Sequence, residues 1–113
     1  MIFNLFKSEP TLKELIPDGF VDIHSHILPG IDDGAKNINE SINLIETAEK
    51  LGFSKIIATP HIYQGIYNNN KESIKESYLS LINSYNSEIK ISYASEYMID
   101  INLIELAQKK SLI

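Results

Sequence analysis

The chain has 113 residues, of which 43% are hydrophobic and 22% are charged, an ordinary balance for one small globular domain. Its net charge is −5 and it contains no cluster of Lys and Arg, which argues against nucleic acid or an anionic membrane surface as a partner. It has no cysteine, which excludes disulfide bonds, thiolate zinc sites and a cysteinyl-phosphate mechanism. Any chemistry must therefore use histidine, carboxylates or a metal ion.

The first segment of the chain, residues 1–19, is predicted to be a lead-in to a domain at 20–113. Its first ten residues are too few for a signal peptide and are interrupted by Glu9 and Pro10, so we expect a cytoplasmic location. Thr11 is expected to cap about one turn of helix before the domain starts. No apolar run approaches the ~20 residues that a membrane span requires, and we expect no insertion into a membrane.

Hydrophobic periodicity beyond the lead-in predicts three strand–helix units in succession. Asn37 with Glu40 has the form of a helix cap, Gly52 is a helix stop, and Asn70 caps a second helix. The predicted strands lie at about 20–24, 56–58 and 89–95, the helices at about 39–51, 71–85 and from 101 onward, and a polar loop at 61–70. The run at 56–58 is apolar on both faces, as in a parallel strand covered on each side, and Pro60 should end it. Right-handed crossovers would make the three strands parallel, which predicts an α/β fold.

Metal-binding side chains are concentrated in the first strand and the loop after it. In the stretch Val21-Asp22-Ile23-His24-Ser25-His26, an extended backbone would place the two imidazoles on one face, about 7 Å apart along the strand. The glycines and proline that follow form a turn that carries Asp32 and Asp33 back toward the strand. A His-x-His pair alone is a weak signal for a metal site, because most such pairs have a structural role or none.

Further polar residues follow the second and third strands. His61 stands just after one strand and Glu96 just after the other, so both would meet His24 at the carboxyl edge of a parallel sheet. The predicted metal ligands are His24, His26, Asp33, His61 and Glu96. Manganese, iron and zinc all accept this mixture of histidine and carboxylate, so the residues alone do not select the metal. We expect Asp32 to shape the loop rather than bind metal, and Asp22 either to orient a ligand imidazole or to be an ordinary strand residue.

Three segments carry a resemblance to a known family: 21–34, which ends in Asp32-Asp33-Gly34, 56–61, which ends in Thr59-Pro60-His61, and 93–97 around Glu96. Together they resemble the polymerase and histidinol phosphatase (PHP) superfamily, and within it the manganese-dependent protein-tyrosine phosphatases of bacterial capsule and exopolysaccharide operons. The resemblance extends from about Thr11 to the end of the chain.

The resemblance implies a fold, a metal arrangement and a substrate. The fold would be a distorted TIM-like seven-stranded (β/α) barrel with three metal ions, Mn²⁺ first among the candidates. His24 and His26 would bind one ion, Glu96 would bridge two, and Asp33 with His61 would hold another, so that Glu96 and Asp33 take part in catalysis through the metals. The implied activity is hydrolysis of phosphotyrosine on a protein, namely a capsule-assembly tyrosine kinase.

The sequence departs from that family in its length and in its ligand set. The family barrel is roughly twice as long, and its later strands supply further His and Asp ligands and an arginine; this chain has only three histidines. The sequence thus looks like the N-terminal three β/α units of the barrel, truncated inside the third helix. We expect such a fragment to be marginally folded, because its sheet edges and apolar surface lack cover, and close to inactive.

Three alternatives remain at this level. A PHP-type small-molecule phosphatase, acting on histidinol phosphate or a sugar phosphate, would keep the metals and change only the substrate pocket. An amidohydrolase also begins with His-x-His, but it does not need an acid after the third strand, so Glu96 and Asp33 argue against it. An inactive truncated metal-binding module is the non-enzymatic reading. Tyr63 and Tyr97 lie near the expected mouth and are candidate substrate contacts. The oligomeric state cannot be read from the sequence.

Overall fold

The computed structural model describes residues 8–113, and the first seven residues of the predicted lead-in lie outside the described part of the chain. Helices and strands alternate along the chain, as predicted for an α/β protein. In chain order the elements are α1 (Leu12–Leu15), β1 (Phe20–Ser25), α2 (Ile38–Leu51), β2 (Phe53–Ala58), β3 (His61–Ile62), α3 (Lys71–Ile82), β4 (Lys90–Tyr93), β5 (Glu96–Tyr97) and α4 (Ile101–Gln108).

The main sheet has three parallel strands in the order β1-β2-β4. Parallel pairing through strand–helix–strand crossovers follows from the alternating pattern, and this coarse prediction is confirmed. The finer prediction, that these units begin a seven-stranded barrel, stays a prediction.

A second, two-stranded parallel sheet lies directly beyond the carboxyl ends of β2 and β4. It pairs β3 with β5, His61 opposite Glu96 and Ile62 opposite Tyr97. Pro60 has no N–H and interrupts the ladder, but its carbonyl accepts a hydrogen bond from the Glu96 N–H at 2.9 Å, so pairing resumes. The prediction of a loop over 61–70 is therefore wrong at its first two residues.

The third predicted strand and the second predicted helix are both shorter than expected. The strand predicted at 89–95 ends at Tyr93, and Glu96 belongs to β5 rather than to a loop. The predicted helix at 71–85 ends at Ile82. Tyr85 lies beyond that helix, and its hydroxyl donates a hydrogen bond to the Ile89 carbonyl at 2.9 Å, which ties the α3–β4 connection to the start of the strand.

Helix boundaries follow the capping residues. The Asn37 side chain accepts a hydrogen bond from the Glu40 N–H at 3.0 Å, and Asn70 does the same for Ser73 at 2.9 Å. Gly52 ends α2 with a left-handed φ of 98°, a conformation that glycine adopts without a steric penalty.

The hydrophobic core lies on one face of the main sheet. Helices α2 and α3 contribute Ile45, Ala48, Ile74 and Leu81, which join Ile56, Ala58 and Ile91 of the sheet in one buried cluster. The opposite face carries Val21 and Ile23, and Ile23 is 71% exposed. The prediction that the second strand is covered on both faces is therefore wrong for the described residues: Ile56 is 1% exposed, whereas its neighbour Ile57 is only half-buried.

Helix α4 has no fully buried residue, and Ile101 and Ile104 are exposed on it. None of the helices within residues 8–113 is both long enough and apolar enough to cross a membrane.

The buried cluster gives a prediction about stability. Leu28 is 1% exposed, and Leu28→Ala should destabilise the fold by about 2–5 kcal/mol, because it removes apolar contacts and leaves a cavity. Ile99→Ala is the control, because Ile99 is 86% exposed and its truncation should change stability by about 0.5 kcal/mol or less. Urea unfolding followed by circular dichroism measures both; equal midpoints for the two variants would contradict the assignment of the core.

Candidate metal centre

The five predicted ligand residues lie together at the carboxyl edge of the two sheets. His24 is in β1, His26 begins the loop after it, and His61 and Glu96 are the paired first residues of β3 and β5. Because β3 and β5 continue past the main sheet, they bring His61 and Glu96 level with the two imidazoles of the first strand and its loop. Asp33 reaches the same place from the glycine-rich loop.

One carboxylate oxygen is at the centre of this cluster. Glu96 Oε2 lies 3.5 Å from His24 Nε2, 3.2 Å from His26 Nε2 and 3.3 Å from His61 Nδ1. His24, His26 and Glu96 form one group whose ligand atoms lie within 4.8 Å of one another, and His26, Asp33 and His61 form a second such group. In the second group, Asp33 Oδ1 is 3.3 Å from His61 Nε2.

The donor set fits a divalent cation. Glu96 Oε2 is buried and has no hydrogen-bond partner among the described residues, an arrangement that costs free energy unless something else pairs with the oxygen. Three imidazole nitrogens lie 3.2–3.5 Å from this oxygen without forming a hydrogen bond with it, an arrangement that a cation between them would stabilise. Two ligand atoms on one ion are at most about 4 Å apart, since each bond is about 2.0–2.2 Å long, and the carboxylate–imidazole separations of 3.2–3.5 Å satisfy this limit.

Of the two interpretations of Asp22, the structure favours an ordinary strand residue, and other side chains lie behind the imidazoles. Asp22 does not orient a ring: its Oδ1 accepts a hydrogen bond from the backbone N–H of His24 at 3.0 Å. His24 Nδ1 instead lies 3.1 Å from the Thr59 hydroxyl, and His26 Nδ1 lies 2.8 Å from Asp32 Oδ2. Sequence reasoning missed Thr59, because its partner is 35 residues away in the chain.

Asp32 holds the loop in place, as expected from the sequence. Its side chain accepts hydrogen bonds from the backbone N–H groups of Gly34 at 2.9 Å and His61 at 3.1 Å, and it is 1% exposed. Burial alone would raise the pKa of Asp32, but these hydrogen bonds and the contact with His26 outweigh it, so the pKa lies below its usual value. Asp32 is therefore ionised near neutral pH.

Gly34 allows the loop to fold back against the first histidines. A Cβ at this position would collide with the carbonyl oxygen and the Cβ of His26, far inside van der Waals contact. Only glycine fits this close approach, which places Asp32 and Asp33 on either side of His26 and His61.

An apolar groove of about 510 Å³ opens beside the cluster, with His61 and Glu96 in its wall. Tyr67 stacks on the His61 ring, with ring centroids 5.4 Å apart and planes 13° apart. The remaining lining residues are Tyr63, Ile66, Tyr97, Met98 and Ile99. The two tyrosines singled out from the sequence, Tyr63 and Tyr97, thus lie next to the cluster.

Comparison with known proteins gives concordant matches. The family model described as "Capsular polysaccharide synthesis, CpsB/CapC" matches residues 20–113. The chain is 47% identical over 70 residues to the CapC protein of Staphylococcus aureus, covering 62% of this chain and 27% of that protein. It is 30% identical over 95 residues to the tyrosine-protein phosphatase CpsB of Streptococcus pneumoniae, covering 81% of this chain and 39% of CpsB.

A solved structure agrees with these matches. It comes from work on YwqE of Bacillus subtilis and CpsB of Streptococcus pneumoniae, described there as unique metal-dependent tyrosine phosphatases. It superposes with a TM-score of 0.67 at 32% identity, covering 83% of this chain and 39% of the solved chain. This chain thus spans 39% or less of the length of these relatives. The family model matches residues 20–113, far more than half of the chain, and this confirms the resemblance drawn from the motifs. The chain belongs to the CpsB/CapC family of capsular polysaccharide synthesis.

Proposed function

We propose that the chain is part of a metal-dependent protein-tyrosine phosphatase that acts on a phosphotyrosine protein of capsule or exopolysaccharide synthesis, such as a capsule-assembly tyrosine kinase. The observation that supports this most directly is the buried, unpartnered Glu96 Oε2 with three imidazole nitrogens 3.2–3.5 Å away. The similar solved proteins YwqE and CpsB are described as metal-dependent tyrosine phosphatases, which also supports the proposal.

The two groups of side chains suggest how two cations would be held. His24 and His26 with Glu96 would hold the first ion, and Asp33 with His61 the second, with Glu96 within reach of both because it contacts all three imidazoles. Mn²⁺ is the proposed ion, and Fe or Zn would accept the same donors.

The bound cations would activate the attacking water and neutralise charge on the phosphate oxygens. The residues of this chain set the direction of approach. The His24 side chain is 58% exposed and that of Asp33 is 61% exposed, whereas Asp32 is buried behind His26. The phosphate would therefore arrive from the side of His24 and Asp33, while the ionised Asp32 holds the rear of the site in place.

The groove beside the cluster favours an aromatic phosphoester over a small sugar phosphate. Ile66, Met98 and Ile99 are exposed along it, and such apolar side chains gain more by contact with a phenyl ring than with the hydroxyl groups of a sugar. With the phosphate at the cluster, the tyrosine ring would lie against this apolar wall.

Metal binding is the first test. The chain should bind Mn²⁺, and Glu96→Gln should weaken binding by about 100-fold or more, because it removes the charge that both groups share. His24→Ala should weaken it by about tenfold or more. Glu105→Gln, on the outer helix α4, is the matched control and should bind as the unaltered chain does. Isothermal titration with Mn²⁺ measures all four proteins; a metal content unchanged by Glu96→Gln and His24→Ala would contradict the site.

Substrate hydrolysis is the second test. The chain, together with whatever its reading frame encodes after Ile113, should release phosphate from a phosphotyrosine peptide when Mn²⁺ is present, and lose that activity with a chelator. Turnover of histidinol phosphate or a sugar phosphate, with none of the peptide, would replace the proposal by a small-molecule phosphatase of the same family.

The groove gives a third test. Ile99→Asp should raise the KM for a phosphotyrosine peptide by about tenfold, because it places a charge where the ring would lie and repels the dianionic phosphoester, while Mn²⁺ binding stays the same. Ile101→Asp is the matched control: this residue is also exposed but lies outside the groove. Equal KM values for the two variants would show that the groove does not bind the ring.

A further inference from the structure

We propose that Asp32 and Thr59 are positioning residues: Asp32 holds a proton on Nδ1 of His26, and Thr59 accepts one from Nδ1 of His24 when the metal binds, so that both Nε2 lone pairs are available to the cation beside Glu96. The inference rests on the proposed metal site and assigns the two side chains that would prepare it. They come from different elements: Asp32 from the loop after β1, and Thr59 from the residue after β2.

For His26 the proton is fixed by the chemistry of its partner. Both oxygens of Asp32 already accept backbone N–H groups, from Gly34 and His61, and a carboxylate acts as an acceptor, so the 2.8 Å contact places a proton on His26 Nδ1. With a cation bound, this would be the only proton of the imidazole, and Nε2 would offer its lone pair. Nε2 lies 3.2 Å from Glu96 Oε2, on the side where the cation would bind. His26 could thus bind a metal without moving the proton on Nδ1.

For His24, the position of the proton depends on which hydrogen bonds the Thr59 hydroxyl can accept and donate. This group has two acceptor lone pairs and one proton. The Ser25 N–H donates to it at 3.2 Å, which uses one lone pair, and the hydroxyl can donate its proton to the Ser25 carbonyl at 3.4 Å. The remaining lone pair faces His24 Nδ1 at 3.1 Å and can accept a proton from it.

The opposite assignment, with the hydroxyl donating to Nδ1, would put the His24 proton on Nε2 and block it as a ligand. A cation beside Glu96 selects between the two, because only a lone pair on Nε2 can bind it. A threonine can accept or donate, whereas a carboxylate can only accept. His26 is therefore preset, and His24 adopts its binding form when the metal enters.

The experiment uses Zn²⁺ alone as the probe, because it is diamagnetic and allows nuclear magnetic resonance of the imidazole nitrogens. In the unaltered protein, long-range ¹H–¹⁵N spectra should show the proton on Nδ1 of His26 with and without Zn²⁺, and on Nδ1 of His24 with Zn²⁺. Asp32→Ala removes the acceptor at His26 Nδ1 and should move that proton to Nε2 in the metal-free protein, because Glu96 Oε2, 3.2 Å from Nε2, is the acceptor that remains beside the ring.

Zn²⁺ affinity tests the role of Thr59. Thr59→Val keeps the branched shape but removes the hydroxyl and should raise the Kd for Zn²⁺ by about 10–100-fold, whereas Thr59→Ser should restore it to within about threefold. In a His24→Ala background, Thr59→Val should have no further effect, because the imidazole through which it acts is gone. Thr47→Val is the matched control, since that hydroxyl bonds only within α2, to the Asn43 carbonyl.

The outcomes separate this inference from the proposed function. Equal losses of affinity for Thr59→Val with and without His24, or no recovery with Thr59→Ser, would overturn the role of Thr59. A proton on Nε2 of His26 in the unaltered protein would overturn the role of Asp32. Failure of the unaltered protein to bind Zn²⁺ or Mn²⁺ would overturn the metal site, while the metal-free spectra of His26 would still decide whether Asp32 sets its proton.

Discussion

The interaction on which the rest of the structure depends is the convergence of three imidazoles on one buried oxygen of Glu96. The participants come from three parts of the chain: β1 and its loop supply His24 and His26, β3 supplies His61, and β5 supplies Glu96. Among the described residues, the central oxygen of Glu96 has no hydrogen-bond partner. The arrangement of the four side chains fits a cation, and the loop and the short sheet bring them together.

The parallel arrangement explains why residues so distant in sequence meet. In a parallel sheet all strands end at the same edge, so side chains just past these ends become neighbours. Here β3 and β5 extend this edge by two residues each, and the Pro60 carbonyl connects the extension to Glu96. Gly34 lets the carboxylate loop close against His26 from the other side.

The sequence was sufficient to predict the α/β pattern and the five residues of the cluster, because strand periodicity and the chemistry of histidine and carboxylate are both local signals. Strands β3 and β5 were missed, since each has only two residues, too few to show a periodic pattern. The contact between Thr59 and His24 was missed because the two residues are far apart in the chain and belong to different parts of the sheet. The exposed face of Val21 and Ile23 was also unpredictable, since an apolar residue does not reveal which element covers it.

The central claim is that Glu96 and the three imidazoles hold a divalent cation, and a crystal structure grown with Mn²⁺ and measured at an anomalous wavelength tests it most directly. The account predicts an anomalous peak about 2.0–2.3 Å from Glu96 Oε2 and from Nε2 of His24 and His26. A map without a peak at this position, in which the imidazoles bond directly to Glu96 and Asp33, would contradict it.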